Sequence, residues 1–142
     1  MTHASHLSHI SIPPETAAFL DLWHSYVQTL DPTVLAAILD NKSTISSPAF
    51  WGPKQDPDYV ATILGAVTKA FENFRYDREW VDGREVLLEF SANIGDKELR
   101  GIDRITVTSE GMLGHIEVMI RPANALFALA EHVKKAFESK AA

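Results

Sequence analysis

The residue that stands out chemically is an acid set among apolar neighbours. Along Lys97–Ser109, alternation puts Leu99, Gly101, Asp103, Ile105 and Val107 on one face of a strand. Arg100, Ile102, Arg104, Thr106 and Thr108 take the other. Asp103 therefore falls on the more apolar side. An unpaired carboxylate cannot be buried cheaply, so Asp103 must be paired, protonated or beside a cavity. Two readings compete. One is structural: an ion pair with Arg78, Arg121 or another cation, or a β-bulge that turns the side chain outward. The other is a site carboxyl.

Tyr26 is the second candidate. It shares a helical stripe with Phe19, Trp23 and Leu30, so its hydroxyl needs a partner inside. That partner is either a core carbonyl or, if the two residues meet, Asp103. His115 lies with Glu117, Met119 and Arg121, opposite Ile116, Val118 and Ile120. This company suits a solvent-side or interface histidine better than a catalytic one, and His115 is kept as the weaker candidate for proton transfer. Phe50 and Trp51, in the turn-rich Pro48–Pro53, read either as a mouth to a cavity or as a loop folded on its own core. Ser47 precedes Pro48 with no G-x-S-x-G elbow around it, which argues against a nucleophile. No phosphate-cradling glycine loop, H-E-x-x-H or dinucleotide fingerprint occurs, so neither metal nor cofactor is expected. His3, His6 and His9 recur every three residues, but a tail offers no frame for a metal.

These residues need elements to hold them. Residues 1–13 read as a flexible tail ending at Pro13-Pro14, and 14–142 as a single domain. A first helix from Pro14 carries Phe19, Leu22, Trp23, Tyr26, Val27 and Leu30 at helical spacing. Asp31-Pro32 caps a second over Thr33–Leu39, and Asp56-Pro57 opens a third. The third has the stripe Val60, Ile63, Leu64, Val67, Phe71 and Phe74. A small strand is expected over Lys42–Ser47. Beyond Arg75 the period changes to two, predicting strands over Phe74–Val81, Arg84–Ile94, Lys97–Ser109 and Met112–Arg121. Asp82-Gly83 marks a hairpin, and the other turns are short enough to make neighbours antiparallel. After Pro122, Leu126, Leu129, Ala130, Val133 and Phe137 form a closing amphipathic helix. The order implies an α+β fold, a curved antiparallel sheet with helices packed on one face.

Composition narrows the function classes. The chain has 142 residues, a net charge of -6 and no cysteine. Disulfides and thiolate chemistry are excluded, and the acidic balance argues against nucleic-acid binding. No apolar run reaches the roughly 18 residues of a membrane span, and the start lacks a secretory signal's apolar core. A cytoplasmic location is the resulting expectation.

Helices, a small strand, a proline-marked loop and a meander together resemble the nuclear-transport-factor-2-like superfamily. It includes the SnoaL-like polyketide cyclases, limonene epoxide hydrolases and ketosteroid isomerases. The resemblance spans about Pro14 to Pro122, and its most specific pieces are Gly101–Val118 and His24–Leu30. It implies a conical cavity between sheet and helices, with Asp103 as a neutral acid and Tyr26 as an oxyanion-hole tyrosine beside it. The protonated acid of ketosteroid isomerase is a known example of that kind. The isomerase's base precedes a proline at the end of the first strand, where this chain has Ser47. A hydroxyl cannot act as that base near neutral pH. The hydrolase's Arg-x-Asp is replaced by adjacent Asp103-Arg104, whose side chains face opposite ways. The expected function is an apolar pocket for a small carbonyl-type ligand, in a cofactor-independent isomerase, cyclase or hydratase-like enzyme. The alternative is a non-catalytic binding protein or a dimeric interaction module. Expected pocket residues are Trp23, Ser47, Phe50, Trp51, Phe71, Phe90 and Ile105. A homodimer would use Leu87, Ile102 and Met119 on the outer face of the sheet.

Overall fold

Aspartate–proline pairs start the short helices. In the computed structural model, which describes residues 12–141, α1 spans Pro14–Thr29, α2 Pro32–Ile38 and α3 Pro57–Ala70. Asp31 accepts the Thr33 amide at 2.9 Å and Asp56 accepts the Asp58 amide at 3.0 Å. Both caps precede a proline at the first helical turn, where its missing N–H is not needed. His3, His6, His9 and most of the expected tail lie outside the described residues. Leu39, expected to end α2, instead begins β1 (Leu39–Ser46). A two-residue strand not expected from the sequence, β2 (Lys54–Gln55), pairs with it antiparallel.

The four strands predicted beyond α3 form, as β3 (Glu72–Asp82), β4 (Glu85–Ile94), β5 (Lys97–Val107) and β6 (Leu113–Arg121). They make an antiparallel meander, with Gly83 at a φ of 62° in the first turn. α4 (Ala123–Ala141) follows. β1 adds to the edge strand β6 in parallel, giving the order β2-β1-β6-β5-β4-β3. The sheet is therefore mixed and open, where a wholly antiparallel one was expected. The reason is topological: no tight turn joins β1 to β6, so nothing forces them antiparallel.

Two bulges in β3 bend the sheet, one between Glu72 and Arg75 and one between Tyr76 and Arg78. The second also reverses the face that alternation would assign. Tyr76 pairs with inward Phe90, but beyond Asp77 it is Val81 that pairs with buried Val86. Asp77, the inserted residue, is held by Arg75 at 3.4 Å and by the Ser91 hydroxyl.

The core lies between the concave face of the sheet and the helices. Phe19, Trp23 and Tyr26 of α1 meet Leu88, Phe90 and Ile105 of the sheet, all at most 2% exposed. Thr16 anchors the start of α1 by donating to the Gly83 carbonyl at 2.8 Å. Gly101 is required for close approach. A Cβ there would collide with the Phe90 ring and lie 2.7 Å from the Met119 carbonyl. No helix among the described residues is long and apolar enough to cross a membrane.

Candidate functional site

A cavity of about 410 Å³ opens between the sheet and the helices. Trp23 and Val27 of α1 form part of its wall, with Ile63, Leu64, Val67 and Thr68 of α3. The sheet supplies Phe74 and Tyr76 from β3, Asp103 from β5 and Val118 from β6. Ser47, Pro48, Ala49 and Phe50 follow β1 at one side. α4 closes another side with Leu129, Val133 and Phe137, while its Lys134 and Glu138 also border the space. The closing helix is thus a cavity wall. It is held to α3 by Phe137 against Tyr59, ring centres 5.2 Å apart, and by Lys140 donating to Thr62 at 2.9 Å.

Asp103 points inward, as alternation predicts, and is 7% exposed. Neither structural explanation for it holds. Arg78 lies nearest Glu89, at 3.9 Å, and no cation among the described residues comes within ion-pair distance of Asp103. The register is regular through Asp103, between Leu88 of β4 and Val118 of β6. Its partner is instead Tyr76, whose hydroxyl donates to Oδ2 at 3.0 Å. The Tyr76 oxygen in turn accepts from Trp23 Nε1 at 2.9 Å. Burial pushes the Asp103 carboxyl up to about 7, against the opposing pull of the Tyr76 bond. Burial, and then the charge of Asp103, push the Tyr76 phenol well above its ordinary value.

Tyr26 does not meet Asp103. It is buried on α1 behind the cavity lining and shares a 3.0 Å hydrogen bond with Thr68 of α3, which does line the cavity. Burial raises its pKa, with the Thr68 bond acting in the opposite sense. The phenol beside Asp103 is Tyr76, a residue the sequence reading passed over. Its signal was the run Asp77-Arg78-Glu79, three charged residues in a row that no simple alternation can hold. That run marks the bulge, and the inward parity of Phe74 and Tyr76 ends there.

Other expected lining residues divide. Trp23, Ser47, Phe50 and Phe71 border the cavity. Phe90 and Ile105 do not, because both are fully covered behind it. Phe90 lies under Phe71, Phe74 and Tyr76, with ring centres 5.3 to 6.4 Å away. Trp51 projects from its loop with its side chain wholly exposed and borders only a shallower groove beside Met119. Phe71, expected on the third helix, caps α3 instead; Phe74, where the helix stripe and the predicted strand overlapped, lies in β3; both reach the cavity. The Ser47 hydroxyl is buried without a hydrogen-bond partner among the described residues. His115 is on the outer face of the sheet, where its Nδ1 is 2.6 Å from the Thr44 hydroxyl. Burial lowers its pKa, so the ring is neutral near pH 7, and it has no access to the cavity. The acid Asp40 of β1 accepts the Lys42 amide at 2.8 Å and is also outside the lining.

The arrangement sets a hydrogen-bonded acid and phenol, Asp103 and Tyr76, in the wall of a mostly apolar cavity. A protonated Asp103 can donate a hydrogen bond to a carbonyl oxygen; the ionised form can accept a proton. Among the described residues, no group of three or more His, Asp or Glu is placed to hold a metal ion.

No protein-family model matches the chain, and no curated protein matches it. Solved structures do. A steroid delta-isomerase from Pseudomonas aeruginosa is 36% identical, with a TM-score of 0.85 over 91% of this chain and 96% of that one. An uncharacterized protein with a cystatin-like fold from Silicibacter pomeroyi is 27% identical, with a TM-score of 0.81 and 87% of each chain covered. A nuclear-transport-factor-2-like protein of unknown function from Cytophaga hutchinsonii is 15% identical, with a TM-score of 0.64 over 82% of this chain and 96% of that one. This last likeness concerns the fold alone. With the curved sheet, the cavity between sheet and helices and the inward acid already in place, the match to the steroid delta-isomerase shows that the chain belongs to the nuclear-transport-factor-2-like superfamily, among its SnoaL-like and ketosteroid-isomerase-like members.

Proposed function

We propose that the cavity holds a small, largely apolar molecule with a carbonyl-type oxygen, and that protonated Asp103 donates a hydrogen bond to that oxygen. The observation that carries this reading is a buried carboxyl with no cation within ion-pair distance among the described residues, at the wall of a mostly apolar cavity of about 410 Å³. The activity we propose is a cofactor-independent isomerase- or cyclase-like reaction. Asp103 would stabilise negative charge as it develops on an enolate-like oxygen. The steroid delta-isomerase that resembles this chain supports the choice of reaction class. Tyr76 is the phenol beside the acid, where the resemblance put Tyr26, but its proton goes to Asp103 and not to the ligand oxygen.

One observation favours a non-catalytic binding protein. Ser47 occupies the position before the proline where the isomerases carry their base, and its hydroxyl has too high a pKa to serve. Turnover separates the two readings. The parent protein is expected to convert at least one reactive enone in a broad carbonyl panel. Asp103→Asn should lower the rate by about 100-fold or more while affinity changes only a few-fold. A parent that binds the panel but converts nothing is a binding protein. A parent that binds none of it does not have the site proposed.

A further inference from the structure

The hydrogen bonds behind Asp103 run in one direction, set by the residue that begins them. An indole N–H can only donate. Trp23 Nε1 is 2.9 Å from the Tyr76 oxygen, so that oxygen accepts there. The phenol keeps its own proton to give, and its other partner among the described residues is Asp103 Oδ2, at 3.0 Å. Were Asp103 to donate instead, the phenol proton would have no acceptor among those residues. Asp103 Oδ1 makes no hydrogen bond with any of them, and the residue borders the cavity.

We propose that Trp23 and Tyr76 are positioning residues. They occupy one oxygen of Asp103 and leave the other as the single carboxyl oxygen offered to the ligand, which selects a molecule ending in one carbonyl oxygen. This rests on the cavity being a carbonyl site. A ligand carboxylate would bring a second acceptor that Asp103 has no proton to serve, and a negative charge facing an acid that itself ionises at about 7.

Burial acts most strongly on this carboxyl, and Tyr76 is the side chain among the described residues that acts against it. β4 and β6 place Leu88 and Val118 beside it. On β3, Glu79 is paired with His24 of α1 at 3.0 Å, and the His24 ring meets Tyr76 edge-on at 5.5 Å. α3 contributes Thr68 to the cavity, and α4 contributes Lys134 and Glu138. Tyr76 holds the carboxyl down while burial raises it to about 7. Losing the tyrosine hydroxyl must therefore raise the midpoint further.

Carbon NMR of protein labelled at the aspartate carboxyl carbons tests this directly, with the Asp103 signal identified by its loss in Asp103→Asn. The expected midpoint is about 7 in the parent. It should rise by about half a unit or more in Tyr76→Phe, which removes a single oxygen atom. Trp23→Phe should move it the same way by less, because Tyr76 loses the donor that orients it. Unmoved midpoints in Tyr76→Phe would mean that the pair only packs, and would overturn the proposal even if Trp23→Phe failed to fold.

Prodan, a fluorescent naphthyl ketone with acceptors only, tests the ligand side. It should bind about tenfold more weakly one pH unit above the NMR midpoint, and that break should move with the midpoint in Tyr76→Phe. The same naphthalene bearing a carboxylate should bind more weakly than prodan by about tenfold or more. Prodan binding without a pH break, or carboxylate binding as tight as prodan, would overturn the selection by one free oxygen. If midpoints shift as expected but neither prodan nor any carbonyl compound binds, the carbonyl-site reading fails and the positioning pair stands.

Discussion

Asp103 links the chemistry of the cavity to the stability of the protein. Its carboxyl titrates at about 7 when folded, against an ordinary value of 3.8. Between those values the folded protein retains a proton that the unfolded chain has released. Stability is therefore full below about 3.8, falls as pH rises towards about 7, and is flat above. Asp103→Asn removes the titration while keeping an oxygen for the Tyr76 hydroxyl. Relative to that variant, the parent should lose about 2–3 kcal/mol of unfolding free energy between pH 5 and pH 8. Urea unfolding of the two proteins across that range measures it, and parallel curves would show that Asp103 titrates as an exposed acid does.

Among the elements, β3 and β5 shape the site most. The bulge at Asp77 turns the strand so that Tyr76 faces in, while Trp80 and Arg78 leave that face. Gly101, two residues before Asp103, makes room for the Phe90 ring that supports Phe74 and Tyr76. Gly101→Ala should destabilise the protein by about 1–3 kcal/mol, because the new methyl meets a covered aromatic ring and a backbone carbonyl rather than a mobile side chain. Denaturant melts would show it, and a neutral result would mean that Phe90 can move aside. α4 contributes differently. Leu129 is 2% exposed and borders the cavity, so Leu129→Ala should both enlarge the space and cost about 2–4 kcal/mol.

For the whole molecule, the outer face of the sheet is a surface suited to a partner. Leu87 and Ile102 are half-buried there and Met119 is 45% exposed. Polar pairs run between them, including Arg104–Glu117 at 3.8 Å and Thr106–Glu85 at 3.0 Å. We propose that a second copy covers this face. Light scattering should then show a dimer in the parent and half that mass in Leu87→Asp. An unchanged mass would remove this surface from the interface.

The order of elements was legible from the chain because its causes are local. Aspartate–proline pairs start α2 and α3, the change of period after Arg75 starts the sheet, and alternation alone turns Asp103 inward. The partner of Asp103 was not legible. A hydrophobic stripe shows that Tyr26 is buried but not against which element, and it meets Thr68 of α3. Tyr76 reaches Asp103 because a bulge breaks alternation and strand pairing brings β3 round the curved sheet. The parallel seating of β1 on β6, the covering of Phe90 and Ile105, and the use of α4 as a cavity wall likewise depend on contacts between distant segments. Those contacts form only when the sheet curves and the helices pack into it, and the spacing of residues along one segment carries no record of them.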